Sequence, residues 1–163
     1  YDVQDGDTPE IVAHQYYGDV YQYWIILYAN QVLDPQWDWP LNSHSFNVYL
    51  EGKYGYDSST GIWNLDPYST NHHYEKIITC VDNTTGLTTT DTYIVDQDTY
   101  NSIITGSNTK SNGQFSVTET ITKRAVDNFT YELELNESKR TIKLLKDTYV
   151  NQVDNELRTL LAK

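Results

Sequence analysis

DGDTPEIVAHQYYGDVYQYWIILYANQ, residues 5–31 of a 163-residue chain, carries helix punctuation at close spacing. The preceding residues YDVQDGD alternate and end in an Asp-Gly pair, so they read as a short strand running into a turn. Thr8 then serves as an N-cap, because its hydroxyl can accept one of the orphan N–H groups of a first helical turn. Pro9 suits the first helical position, where no N–H is needed, and Glu10 complements the positive end of the helix dipole. Val12 and Tyr16 fall on one face of this helix, and Gly18 closes it as a left-handed C-cap. A second short helix follows, with Trp24, Leu27 and Tyr28 at i, i+3, i+4, and Asn30 at its end. Trp24 and Tyr28 are expected to be buried against Val12 and Tyr16.

Beyond this pair, VLDPQWDWPLN (residues 32–42) is a loop punctuated by Pro35 and Pro40. Loops run over surfaces, so Trp37 and Trp39 either fold back as a lid or project to a partner. SHSFNVYLEGKYG (43–55) reads as a third helix with Ser43 as cap, Phe46 and Leu50 aligned, and Gly55 past its end. A polar connector covers residues 56–71. HHYEKIITCVD, the turn NTTG and LTTTDTYIVDQ form an antiparallel hairpin, and residues 98–113 a flexible excursion. QFSVTETITKRAV is an alternating strand, and FTYELELN and TIKLLK a second strand pair around the turn ESKR. The chain ends in an amphipathic helix over 147–162, with Asp147 or Thr148 as cap and Val150, Val153, Leu157, Leu160 and Leu161 in one stripe. Val153 and Leu157 are expected inside, with Ile142 and Leu144 as their nearest cover, and the final turn from Leu160 to Lys163 is expected to reach outward.

The composition restricts the partners. Lys and Arg number 11 against 23 Asp and Glu, for a net charge of −12. Only Lys53, Lys76 and Lys110 precede residue 119, after which acids and bases balance. Such an acidic body repels phosphates, which argues against nucleic acid and anionic membranes. Fifteen Tyr residues, each an apolar face with a polar tip, suit half-buried surfaces and interfaces. The single Cys80 excludes an internal disulfide and a zinc-finger pattern, and its apolar strand suggests a buried, inert thiol. No stretch approaches bilayer-spanning length, and no signal peptide is visible. No Met occurs even at position 1, so a segment upstream of Tyr1 is expected.

The sequence carries no recognisable catalytic constellation. His14, His44, His72 and His73 fall in no ligand spacing, and no nucleophile elbow or phosphate loop is present. On a regular strand His72 and His73 point to opposite faces and cannot share a metal. Glu10 with Asp19, or Glu132 with Glu134, could be cast as a glycosidase pair, but nothing near them would raise one carboxyl's pKa. The sequons at Asn83, Asn128 and Asn136 are expected by chance in so Thr-rich a chain. No catalytic group, metal or cofactor is expected.

The opening stretch resembles the LysM module: a strand, GDT, a helix, and a second helix ending at Asn30. That resemblance implies a shallow groove for N-acetylglucosamine chains lined by Gly6, Asp7, Thr8, Asn30 and Gln31. Where such a module forms its second strand, this chain has LDPQWDWPLN and then another helix. The aromatic core YYG…YWIILYANQ, the Asp-Pro-aromatic loop and the segment NESKRTIKLLK before the terminal helix are together similar to the small baseplate wedge protein of T4-type contractile-tailed phages, the gene product 53 family. The likeness covers about the first 55 and the last 40 residues of the chain.

The resemblance implies an α+β fold, with a LysM-like module over 1–42 (a strand and two short helices) and an α+β baseplate-assembly domain over 43–163 (a helix, antiparallel β-hairpins and the terminal amphipathic helix). It implies a structural role: joining neighbouring wedge subunits into the ring around the hub of a virion tail baseplate, assembled in the host bacterial cytoplasm. The implied partners are other wedge and hub proteins, with no nucleic acid and no membrane, and with a weak glycan contact left open. The candidate partner contacts are Trp37, Trp39, Tyr68, His72, Asn136, Glu137, Lys139, Arg140, Leu160 and Leu161. Two other readings stand beside it, a LysM-type binder of peptidoglycan or chitin oligosaccharides and a cell-wall hydrolase. Retention on insoluble peptidoglycan would mark the first, and lysis of cell walls the second.

Overall fold

The computed structural model describes residues 1–162. The chain divides into two compact units, residues 1–53 with 133–163, and residues 54–132. The division is discontinuous, because the chain returns to the first unit after leaving it.

The first unit starts with helices α1 (Pro9–Tyr17) and α2 (Tyr23–Ala29), joined by a single 3₁₀ turn at Val20–Gln22. The Thr8 side chain accepts the Ile11 N–H, Pro9 opens α1, and Gly18 closes it at φ 75°. Its core is Val3, Val12, Ala13, Ile26, Trp39 and Ile142, with Tyr17, Leu27 and Leu144 packed against it. The burial of α2 differs from expectation. Ile25 and Ile26 are the buried residues, Trp24 is half-buried, and Tyr28 is 80% exposed. Tyr16 is exposed as well. A seven-residue helix buries one narrow arc, and the two adjacent isoleucines occupy it in place of the i, i+3, i+4 set.

The strand pairing of this unit comes from far along the chain. Val3 N–H donates to the Arg140 carbonyl (2.9 Å) and Ile142 N–H to the Tyr1 carbonyl (2.8 Å), with an antiparallel bridge between Asp2 and Thr141. TIKLLK is therefore a short bridge and coil, not a strand of a local hairpin. Helix α3 (Ser43–Tyr54) starts from Asn42, whose Oδ1 accepts the Ser45 N–H. Ser43 is not its cap; the Ser43 N–H and hydroxyl both bond the Asp5 carboxylate.

The second unit holds a small hairpin, β1 (Tyr56–Asp57) with β2 (Ile62–Trp63), and a four-stranded antiparallel sheet. The sheet runs β4 (Thr88–Val95), β3 (Asn71–Asp82), β6 (Ser116–Asp127), β5 (Gly106–Ser111). The expected β3–β4 hairpin and β6 are present. The supposed flexible excursion instead forms α4 (Gln97–Ser102), capped by Asp96, and then the edge strand β5. Tyr100 of α4 lies 4.7 Å from Tyr74 by ring centroid, and its carbonyl accepts Lys123 Nζ. Cys80 on β3 is half-buried, less covered than an inert core thiol would be.

FTYELELN departs furthest from its expected strand. It is helix α5 (Asn128–Glu137), not a strand. Its buried residues are Asn128, Glu132 and Asn136, at i, i+4, i+8. A helix that buries its polar stripe leaves Phe129, Tyr131, Leu133 and Leu135 in strand-like alternation, which misleads the period test. Two of its polar residues have visible partners: Glu132 accepts the Tyr54 hydroxyl, and Asn136 bonds both backbone groups of Leu41. The burial of Asn128 and Asn136 also removes two of the three sequons as acceptors.

The terminal helix α6 (Asp147–Leu161) forms as expected. Its cap position is Lys146, with no side-chain capping bond, so neither Asp147 nor Thr148 caps it. Val150 is buried and shares a cleft of about 190 Å³ with Trp24 and Ile25; Val153 and Leu157 are half-buried. Leu160 and Leu161 stand 68% and 78% exposed, and Lys163 lies outside the described residues.

Candidate functional site

The two loop tryptophans, two positions apart, take opposite roles. Trp39 is only 6% exposed and sits in the core, its Nε1–H donating to the Asp7 carbonyl at 2.8 Å. It is therefore a core residue of the first unit. Trp37 is 51% exposed. The loop beneath it is held rigidly. The Leu33 and Asp34 N–H groups donate to Asp38 Oδ2, Trp37 N–H donates to the Asp34 carbonyl, and Lys139 Nζ donates to the Trp37 carbonyl at 2.7 Å. The backbone donors of Asp34 and Leu33 hold the Asp38 carboxyl below the ordinary aspartate range.

Trp37 forms one wall of a groove of about 600 Å³ along α3, with Leu41, Val48, Tyr49 and Gly52 beside it and His44 and Lys53 among its lining. The Trp37 and Tyr49 rings stand 6.3 Å apart. Val48 is exposed on this wall. Phe46 and Leu50 mark the buried face of α3, so the groove residues lie on its other face. Ser45, Val48, Tyr49 and Gly52 follow i, i+3, i+4, i+7, so a second stripe on α3 was readable.

The remaining expected contacts fall into separate places. In the first unit Asn136 is buried and spends its amide on Leu41. Glu137 pairs with Arg140 at 2.7 Å, and Arg140 also donates to the Val3 carbonyl. Lys139 belongs to the Trp37 loop. Leu160 and Leu161 are exposed on the last turn of α6. In the second unit Tyr68 is exposed between Trp63 and Phe129, and His72 stacks on Tyr131 at 3.7 Å. The register shifts between Asn71 and His73, and His72 Nδ1 and His73 Nδ1 lie 2.8 Å apart. A strand irregularity thus brings together two side chains that a regular strand would separate. Among the described residues no cluster of three or more His, Cys, Asp or Glu could hold a metal.

Gly6, Asp7 and Thr8 adjoin a pocket of about 150 Å³ walled by Pro35 and residues 39–42, which neither Asn30 nor Gln31 lines. Asp7 Oδ2 accepts Gln4 N–H and the Tyr1 hydroxyl. Asn30 is tied to the Ile26 and Lys143 carbonyls and accepts the Lys143 N–H. These side chains brace the fold.

In the second unit Glu75 is buried between Arg124 (2.8 Å) and His73 (3.1 Å). The Arg124 hydrogen bond, against the opposing cost of burial, holds the Glu75 carboxyl below its ordinary value. A depressed carboxylate stabilises the fold above its unfolded pKa of about 4.3, and that stabilisation is lost as pH falls through the folded value. Asp57, Asp82 and Asp96 are shifted in the same direction by donors in their own turns. Urea unfolding at pH 7, 5, 4 and 3 should therefore show stability falling below about pH 4.3, and Glu75→Gln should flatten that decline. An unchanged acid limb in the variant would remove Glu75 as a contributor.

No helix among the described residues is long and apolar enough to cross a membrane. No curated protein matches the chain. A family model described as base plate wedge protein 53 matches residues 1–160, which covers the Trp37 loop, the α3 groove, the sheet and all but the last residue of α6. The chain belongs to the base plate wedge protein 53 family of bacteriophages and is a structural subunit of the tail baseplate.

Proposed function

We propose that the chain joins neighbouring wedge subunits into the ring around the hub, without catalysing a reaction, and that it is built into the baseplate in the cytoplasm of the infected bacterium. The observation that carries this reading is the Trp37 groove. A large aromatic stands half in solvent on a loop fixed by hydrogen bonds, next to an apolar helix stripe. Rigid aromatic anchors beside a groove are the usual centre of a protein interface. His44 and Lys53 among its lining suit a partner segment that brings an aromatic or aliphatic anchor flanked by carboxylates.

The pairing of residues 1–3 with 140–142 around α1 and α2 supports a LysM-like scaffold whose second strand comes from a distant segment. The internal use of Asp7 and Asn30 favours that scaffold serving as a docking frame over its use as a sugar groove. Trp37→Ala should leave the melting curve of the isolated chain unchanged and lower its incorporation into tail particles about tenfold or more. Particles that take up the variant as well as the parent would remove the groove from the interface.

A further inference from the structure

The four-stranded sheet has two edges, and they are protected to different degrees. β5 is short, opens with Gly106 and carries Lys110, a charge that discourages strand addition. β4 is eight residues long, has no Pro, Gly or Lys, and is exposed at every position except Val95. Isolated proteins rarely leave such an edge open, because its free backbone groups template another strand.

The hydrogen-bond phase identifies those free groups. Asp82 N–H donates to the Leu87 carbonyl, which makes 82/87 a hydrogen-bonded pair. Pairs alternate along an antiparallel ladder, so Thr89, Asp91, Tyr93 and Val95 bond inward to β3. Thr88, Thr90, Thr92 and Ile94 therefore aim their N–H and C=O groups away from the sheet.

A second copy of the chain is a poor occupant. Antiparallel self-pairing that uses all four free residues matches 88 with 94 and 90 with 92, and sets Asp91 opposite Asp91. That is a non-hydrogen-bonded pair, where side chains are closest and like charges opposed are destabilising. Along the chain Asp91, Asp96 and Asp98 are the only charged residues from 83 to 109, and the nearest base in the register is Lys76 of β3, opposite Tyr93.

We propose that the β4 edge binds an extended segment of a different baseplate subunit by backbone pairing, with a Lys or Arg of that segment facing Asp91. The proposal rests on the chain's place in the baseplate and names a surface distinct from the Trp37 groove. The added strand draws its affinity from main-chain bonds to Thr88, Thr90, Thr92 and Ile94, and its selectivity from the charge at Asp91.

Proline substitution separates the two roles of β4. Thr92→Pro deletes an outward N–H, a position where sheet edges tolerate proline. The variant should keep the folded spectrum of the parent and enter tail particles at about a tenth of its level or less, while Thr92→Val enters normally. Asp91→Lys should also reduce entry. Amide hydrogen exchange on the unmodified chain gives an independent reading should Thr92→Pro fail to fold. The amides of Thr90, Thr92 and Ile94 should slow about 100-fold or more on going from isolated chain to particle. Normal entry of Thr92→Pro, or amides that exchange as freely in the particle as in the isolated chain, would overturn the edge proposal while leaving the baseplate role standing. A free chain that dimerises and loses the dimer on Thr92→Pro would overturn it in favour of self-pairing. Absence of the parent chain from particles would overturn both.

Discussion

Trp39→Ala should lower the unfolding free energy of the isolated chain by about 3–5 kcal/mol, as large aromatics in packed cores do. The ring is one of six buried members of the cluster that binds α1, α2, the 32–42 loop and the 140–142 segment. Its removal opens a cavity at that junction and leaves the Asp7 carbonyl without the indole donor. Domains of this size are stable by about 5–15 kcal/mol, so the loss is a large fraction of the whole. Trp39→Phe should cost less, because most of the ring volume stays. Urea unfolding followed by far-UV circular dichroism checks both variants. If Trp39→Ala unfolds within about 1 kcal/mol of the parent, the loop is not part of the core. The contrast with Trp37→Ala is the sharper check, since two residues of the same type in one loop should affect different measurements.

Asn136→Ala should be the second severe change. The Asn136 side chain accepts the Leu41 N–H at 2.7 Å and donates to the Leu41 carbonyl at 3.0 Å, a two-bond clamp across 95 positions of sequence. Removing it leaves two backbone groups of a half-buried loop residue without their partner, at about 1–3 kcal/mol for each. Leu41 also lines the Trp37 groove, so the loss should extend to assembly. Stability by urea unfolding and entry into particles should fall together. A variant that is fully stable yet excluded from particles would mean that Asn136 acts at the interface and not as a clamp.

Both residues look like surface contacts in the sequence and are buried in the fold, whereas elements set by local chemistry are legible from the sequence. The caps of α1 lie within ten residues of each other, Thr8, Pro9 and Gly18, and each acts on its own local backbone. The β3–β4 hairpin joins neighbouring segments through a short turn, and α6 carries a clean apolar stripe. Local chemistry suffices for such elements, and the sequence alone determined them, together with the acidic balance of the chain and the motifs that carry the family likeness. The tertiary structure decided the rest. FTYELELN alternates like a strand and becomes α5 because its buried stripe is polar, with Tyr54 and Leu41 supplying partners from 78 and 95 positions away. Trp37 and Trp39 cannot be ranked locally; what separates them is that Asp7 and the α1–α2 core lie where Trp39 points. The segment bridged to residues 1–3 arrives from 140–142, a distance no periodicity can announce. A residue's burial depends on which distant groups meet it, and that information exists only once the chain has folded.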